Sequence, residues 1–538
     1  MLQQKRMVNR RLNRLTNTSL PAPVGGLNTE SSYDEMKSNE AIVMDNFIPM
    51  ASSVQLRKGY KEHARLPHAV KTLIPYKSMN GQDLFFCISG GTIYEISQNK
   101  DYSSYQEAYA EKLRALNPEE PFLQDEWQWA AFKDRLFLVN GVDTPLMYQP
   151  AETGETFGTF QEVNFTGENL SLNQLSNVFI SKQRLWFIEK NSMRVWYTKN
   201  AGEVQGELIP FDMNAVASFG GTLVAGASWT QDGGAGMDDL TVFITSEGEV
   251  LVYKGIDPSN ANEWTLKGVY KMASPLGKNC FLKYLGDLVL ISSEGYIPLS
   301  KALPLEGANA SLIAFSAKIT NLVSERANLF GKKSGWQALL YPKGGLALFN
   351  VPLSRGYEQH VCNTTTGSWC RFTGINATVW ALMGDRLYFA DQDKVYLFDE
   401  GHLDATEPIH GRIEQAFTNF GTHNVKRLTL LNPHVKASRP FALKIYTNTD
   451  FSSARKSYQT IIKDIGESYW NKLKWKRLSE MDADNQPKSH WATLAGLRHT
   501  EWIANMATGV YFSLVLDTNA GGTGISFFST GARFETGV

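Results

Sequence analysis

The sequence has little cysteine, no long apolar run and no excess of either charge. Four cysteines, Cys87, Cys280, Cys362 and Cys370, are spread over 538 residues, too few for a disulfide-built scaffold. Cys362 and Cys370 flank a hairpin-like segment and are read as two buried thiols. No stretch approaches the roughly 18 apolar residues that span a bilayer. The opening residues, MLQQKRMVNRRLNRL, are basic and lack the apolar core of a secretory signal. A soluble protein made in the cytosol is therefore expected. Lys and Arg total 53 against 54 Asp and Glu, a formal net charge of −1. Proteins that grip nucleic acid usually show a basic excess, because affinity comes from neutralising phosphates.

Catalytic and metal-binding patterns are equally scarce. Gly331-Lys-Lys-Ser lacks the upstream glycine of a phosphate-cradling loop. There is no HExxH, no paired-cysteine zinc spacing and no GxSxG elbow. The nine histidines are scattered, and His402 and His410 have no third ligand in sight. Asp391 with Asp393, and Asp482 with Asp484 and Asn485, form short acidic clusters. Neither completes a calcium loop, and both read as solvated turns. The Ser-x-Asp-x-Gly-x-Thr-Trp box of sialidases and the Trp-Asp dipeptide of regulatory propellers are absent too. No catalytic, metal-binding or cofactor-binding residue is assigned, and no cofactor is expected.

What the chain does have is aromatics, at 12%, and 44 glycines. Aromatics suit pleated, half-buried surfaces and glycines suit tight turns, so an all-β protein is expected. One pattern recurs: an apolar strand, a turn rich in Gly, Asp or Asn, then a second strand ending in aromatics. Copies begin at Asp83, Asp134, Gln183, Asp239, Asp287, Gln337 and Asp385. Each reads as a hairpin. The leading leucines, Leu84, Leu136, Leu185, Leu240, Leu288, Leu339 and Leu387, recur every 48 to 55 residues or so, close to the period of propeller blades. The expectation is a β-propeller of about seven blades, or six if the first or last hairpin belongs to a neighbouring domain. The repeated aromatics Tyr94, Tyr148, Trp196, Tyr253, Phe349 and Tyr396 are expected to pack between blades.

The remaining segments divide the chain. Residues 1–20 form a basic arm carrying Lys5, Arg6, Arg10, Arg11 and Arg14, positioned to dock on a partner or touch DNA, or else disordered. The propeller is expected over 21–400, with helical insertions near 103–117 and 311–329. In the second, Phe315, Ile319, Leu322, Val323 and Arg326 fall at helical spacing. Residues 401–538 carry no blade repeat. Alternation at Val425–Leu431, Phe441–Tyr446, Val510–Leu516 and Ile525–Phe528 predicts a second β-rich domain, sandwich-like or barrel-like. A polar loop is expected around 457–501.

The opening of the chain adds a resemblance. Pro23-Val-Gly-Gly-Leu-Asn28 is followed by Ala41-Ile-Val-Met-Asp-Asn-Phe-Ile-Pro49 and by Val54-Gln-Leu-Arg-Lys-Gly-Tyr60. With Leu138-Val-Asn-Gly-Val-Asp-Thr-Pro145, Arg184-Leu-Trp and Gly531-Ala-Arg-Phe-Glu535, this order resembles the tail nozzle proteins (tail tubular protein B) of short-tailed bacteriophages. The basic arm and the polar stretch before Trp491 depart from that pattern. The resemblance implies a structural virion protein, not an enzyme. It implies a homo-oligomeric ring, usually a hexamer, below the head-to-tail adaptor and associated with tail fibres or spikes. The ring retains the packaged genome and touches viral double-stranded DNA transiently as it passes. The alternatives are a propeller glycosidase or depolymerase acting on host surface polysaccharide, and a receptor-binding propeller.

Overall fold

The computed structural model describes residues 15–79, 81, 83–97, 121–150, 158–232, 237–303, 314–437, 441–456, 460–465, 497–499 and 502–536. The chain forms two compact units. One takes in Tyr60–Thr364 and Phe372–Glu400; the other takes in Met1–Gly59, Thr365–Arg371 and Gly401–Val538. The opening segment after residue 20, expected to belong with the blades, lies instead with the C-terminal strands.

The first unit is a β-propeller-like array of seven antiparallel sheets. The first holds Val70–Lys77, Asp83–Ser89 and Thr92–Glu95. The second holds Gln128–Phe132, Arg135–Val139, Leu146–Gln149 and Thr159–Glu162. The third runs from Leu175–Ser181 through Arg184–Glu189 and Arg194–Thr198 to Gly206–Asp212. The fourth runs from Leu223–Asp232 through Met237–Thr245 and Glu249–Gly255 to Trp264–Lys271. The fifth holds Phe281–Tyr284, Asp287–Ser292 and Gly295–Pro298. The sixth holds Gln337–Tyr341, Leu346–Pro352 and Tyr357–Asn363. The seventh holds Val379–Met383, Arg386–Asp391 and Lys394–Phe398, and its fourth strand is Tyr60–Arg65 from the start of the unit.

Each sheet packs on the next because neither of its faces can be buried alone. Ile74, Tyr76 and Phe86 of the first sheet meet Trp127, Leu136 and Tyr148 around the second. Phe137 and Val139 meet Phe187 and Trp196 of the third. Trp186, fully buried, stacks on Trp264 with ring centres 5.5 Å apart and meets Phe243 edge-on at 5.5 Å. Between the fourth and fifth sheets, Lys283 Nζ donates to Ser228 Oγ at 2.7 Å. Tyr296 stacks on Phe349 at 3.8 Å between the fifth and sixth. Gln337 grips Trp380 of the seventh by two hydrogen bonds of 2.9 Å. The ring closes where Ala381, Tyr388 and Leu397 pack on Leu73, Phe85 and Cys87, and Thr378 Oγ1 donates to the Val70 carbonyl at 3.0 Å.

All seven expected hairpins are present, but one sits differently in its sheet. Six are the second and third strands; the hairpin from Gln337 is the first and second. The helix Thr320–Phe330, preceded by a 3-10 turn at Ala317–Ile319, lengthens the connection into the sixth sheet. The regular leucine spacing at Leu339 is therefore fortuitous. That helix buries Leu322 and Val323, and its Arg326 reaches Glu358 at 2.7 Å. The insertion expected near 103–117 lies outside the described residues.

The second unit has two antiparallel sheets. One contains Leu15–Pro21, Val54–Leu56, Lys426–Ala437, Ile503–Gly509 and Ile525–Thr536. The other contains Glu40–Asp45, Glu407–Gln415, Phe441–Thr449 and Phe512–Ala520. Phe420 joins them, stacking on Phe512 at 5.5 Å and Phe534 at 5.1 Å. Thr447 Oγ1 donates to Asn505 Oδ1 at 2.7 Å from one sheet to the other. Within 457–501, expected as a loop, Thr460–Ile465 and Leu497–His499 are strand, and the rest of the stretch lies outside the described residues. The backbone donors of those residues find sheet partners there, which outweighs the polar composition.

Candidate functional site

Among the described residues, the polar residues of the motif segments serve architecture. In the second unit Arg57 is fully buried and its guanidinium is held on several sides. Nε donates to Asn46 Oδ1 at 2.8 Å, and the two terminal nitrogens reach Asp404 at 2.7 and 2.5 Å. Asn46, at φ 61°, donates from Nδ2 to the His410 carbonyl at 2.7 Å. A buried charge is tolerated when it is paired and its remaining donors are satisfied. Two residues on, a Cβ on Gly59 would lie 1.8 Å from the Leu403 carbonyl oxygen, so only glycine fits the approach. Asn28 accepts from the Glu30 and Ser31 amides and donates to Glu40 at 2.9 Å. Arg371 clamps Asp45 with bonds of 2.8 and 3.0 Å.

The other motif segments behave alike. Asn140 caps its own turn through the Val142 and Asp143 amides, while Asp143 accepts from Leu123 and Gln124. Arg184 is buried against the Thr198 carbonyl at 2.8 Å and reaches Asp257 at 3.1 Å. Gly531 to Glu535 pairs with Leu15 to Ser19, and Arg533 donates to Asn17 Oδ1 at 2.8 Å.

A large concavity lies in the propeller-like unit. It measures about 920 Å³ and is lined by first strands of the first, second, fourth, sixth and seventh sheets. Their common position places it on the axis of the ring. Lys71, Lys278, Lys332 and Lys333 line it, and Glu126 is the single carboxylate among the described lining residues. Glu126 accepts the Ser334 hydroxyl at 2.9 Å on each oxygen. Lys278 donates to the Ser176 carbonyl at 3.2 Å. Burial lowers its ammonium pKa, Glu126 pulls it up and Lys190 pushes it down. Trp127, Trp336 and Trp380 supply buried indole walls. The sequence did not mark this site: Lys71 and Lys278 are singletons, and the adjacent Lys332 and Lys333 fall in the segment that lacks the upstream glycine of a phosphate loop.

The expected contact residues Lys5, Arg6, Arg10, Arg11 and Arg14 lie outside the described residues. All four cysteines are free and buried. Burial pushes the Cys280 and Cys362 thiols up to about 12, which leaves them inert at neutral pH. Asp391 and Asp393 flank Gln392 in its hairpin turn, and the Asp393 carbonyl accepts the Leu66 amide at 2.7 Å. His410 lies 3.2 Å from Asp517. Among the described residues no three His, Cys, Asp or Glu side chains gather as metal ligands.

No family model matches the chain, and no curated protein matches it. Solved structures are similar only distantly. An exo-β-1,3-galactanase from Phanerochaete chrysosporium shares 6% identity at TM-score 0.27, over 78% of this chain and 98% of that one. A putative 6-phosphogluconolactonase from Bacteroides fragilis shares 12% at TM-score 0.31, over 65% and 90%. A β-propeller domain from Myceliophteria thermophila shares 8% at TM-score 0.26, over 62% and 83%.

Proposed function

We propose that this chain is a structural subunit of the tail nozzle of a short-tailed bacteriophage. On this reading the seven sheets are the blades of a seven-bladed β-propeller, and the second unit supplies contacts for assembly. Copies form a ring, a hexamer as in the proteins it resembles, below the head-to-tail adaptor and beside fibres or spikes. The ring holds back the packaged genome and lets double-stranded DNA pass at ejection. The protein is made in the host cytoplasm and resides in the virion tail.

The observation that carries the reading is the shared fate of the opening motifs. Asn46, Arg57 and Gly59 come from two separate motifs and converge on one buried knot with Asp404. Residues spent on building a frame, in the order found in nozzle proteins, fit a structural role. The net charge of −1 fits a wall that DNA passes without being retained. The axial cavity, with Glu126 as its single carboxylate among the described lining residues, lacks the carboxylate pair that most glycoside hydrolysis uses.

Electron microscopy of the particle containing this chain tests the proposal. A cyclic ring around a channel, with DNA above it, is the expected result. A peripheral copy bound outside the tail would overturn it and favour a sugar-cleaving or receptor-binding propeller.

A further inference from the structure

The axial cavity has an unbalanced charge. Four lysines, Lys71, Lys278, Lys332 and Lys333, line it, with Glu126 as the one carboxylate residue among the described lining residues. Among the described residues none of the four makes an ion pair. Lys278 is directed at the Ser176 carbonyl and Lys333 at the carbonyls of Leu353 and Ser354. The carboxylate is already occupied by the Ser334 hydroxyl. In a chain of net charge −1, this is an excess of three positively charged residues around one concave space. Low-dielectric walls focus such a field. Burial of Lys278 makes its charged state costly until a counter-charge arrives, and burial already lowers its pKa. The volume of about 920 Å³ is that of a small-molecule site and leaves no room for a duplex, whose major groove alone is about 12 Å wide.

We propose that the axial cavity binds a small phosphate-bearing anion of two or more negative charges. Lys278 supplies the inner contact, and Lys71 and Lys332 close over the outer charges. Lys333, tied to two carbonyls, contributes field more than contact. The phosphates could belong to a free inorganic anion or to a nucleotide, and the indole walls leave both open. The site is independent of the assembly role: a nozzle subunit whose cavity stays empty and a filled cavity in some other propeller are both distinguishable outcomes.

Titration calorimetry of the full chain with inorganic pyrophosphate at low ionic strength tests this. One site per chain is expected, weakening steeply as salt is added. Lys278→Met keeps most of the aliphatic stem and should weaken binding at least tenfold. The double variant Lys71→Gln with Lys332→Gln alters only exposed ends, so it folds even if the first variant does not, and it too should lose about tenfold. Lys199→Gln, at the exposed pair with Glu207, should bind as the parent does. Tighter binding of ADP than of pyrophosphate supports a nucleotide as the source; weaker binding supports the free anion. No heat at millimolar pyrophosphate overturns the proposal. So does parental affinity in either cavity variant.

Discussion

The two units of this chain are built on opposite plans. The propeller-like unit repeats one local device, a hairpin of neighbouring strands, and buries aromatic faces between successive sheets. The second unit draws strands from three separate stretches of chain and fixes them with buried and half-buried polar groups. Arg57 meets Asp404, Arg371 meets Asp45, and Glu414 accepts from Asn448 at 2.8 Å. Apolar packing tolerates modest changes of shape. A buried ion pair fails when one partner is removed, because the other charge is left stranded. The first unit should therefore degrade gradually under substitution and the second abruptly.

A reciprocal pair of variants gives the largest expected effect. Arg57→Ala leaves Asp404 without its partner and should cost about 3–5 kcal/mol. Trp186→Ala opens a cavity among Phe179, Phe243 and Trp264 and should cost about 3–5 kcal/mol as well. The contrast lies in rescue. Trp186→Phe should recover most of the loss, whereas Arg57→Lys should recover little, since one ammonium cannot reproduce a forked contact. Hydrogen exchange read over the strands of each unit would show it. Equal rescue by both conservative changes would break the comparison.

Gly59→Ala comes next. A methyl group there meets the Leu403 carbonyl at 1.8 Å, and the backbone must move to admit it. A loss of about 1–3 kcal/mol is expected, read as a lower denaturation midpoint. An unchanged midpoint would mean that the approach is softer than the geometry implies.

The smallest effect is a pH dependence in the propeller-like unit. His63 is buried with Nε2 2.7 Å from the Ile96 carbonyl. Burial lowers its pKa, the Ile96 carbonyl works against that, and Arg386 lowers it further. The unfolded chain then binds a proton at a pH where folded His63 does not. Stability is full above the ordinary histidine range and falls as pH drops through it toward the lowered value. Melting followed between about pH 8 and pH 5 should show this slope, and His63→Gln should flatten it. The same slope in the variant would assign the effect elsewhere.

The contrast between the units also explains what the sequence revealed. Hairpins are local, so the repeats at Asp83, Asp134, Gln183, Asp239, Asp287 and Asp385 announce their strands and turns. At Gln337 the same pattern occupies a different pair of strands, because hairpin periodicity does not encode position within a sheet. The four alternating segments after residue 424 are strands as expected, each reaching beyond the alternation that marked it. The membership of the opening segment was not legible. Arg57 and Asp404 are 347 positions apart, and neither residue carries a local sign of the other. The cavity was equally hidden, since Lys71, Lys278 and the adjacent Lys332 and Lys333 come together from three separate parts of the chain.

The strand Tyr60–Arg65 pairs with Lys394–Phe398, so the piece that completes the seventh sheet is synthesised first and used last. A ribosome adds about 5–20 residues per second, and roughly 330 residues separate the two strands. On that timescale the nascent strand spends tens of seconds as an open edge, while the sheets that follow form behind it. Latching is then the final step of folding in this unit, and a chain truncated before Lys394 lacks its latch. Truncation products should therefore expose a sticky edge to quality control, a surveillance signal set by the order of strands alone.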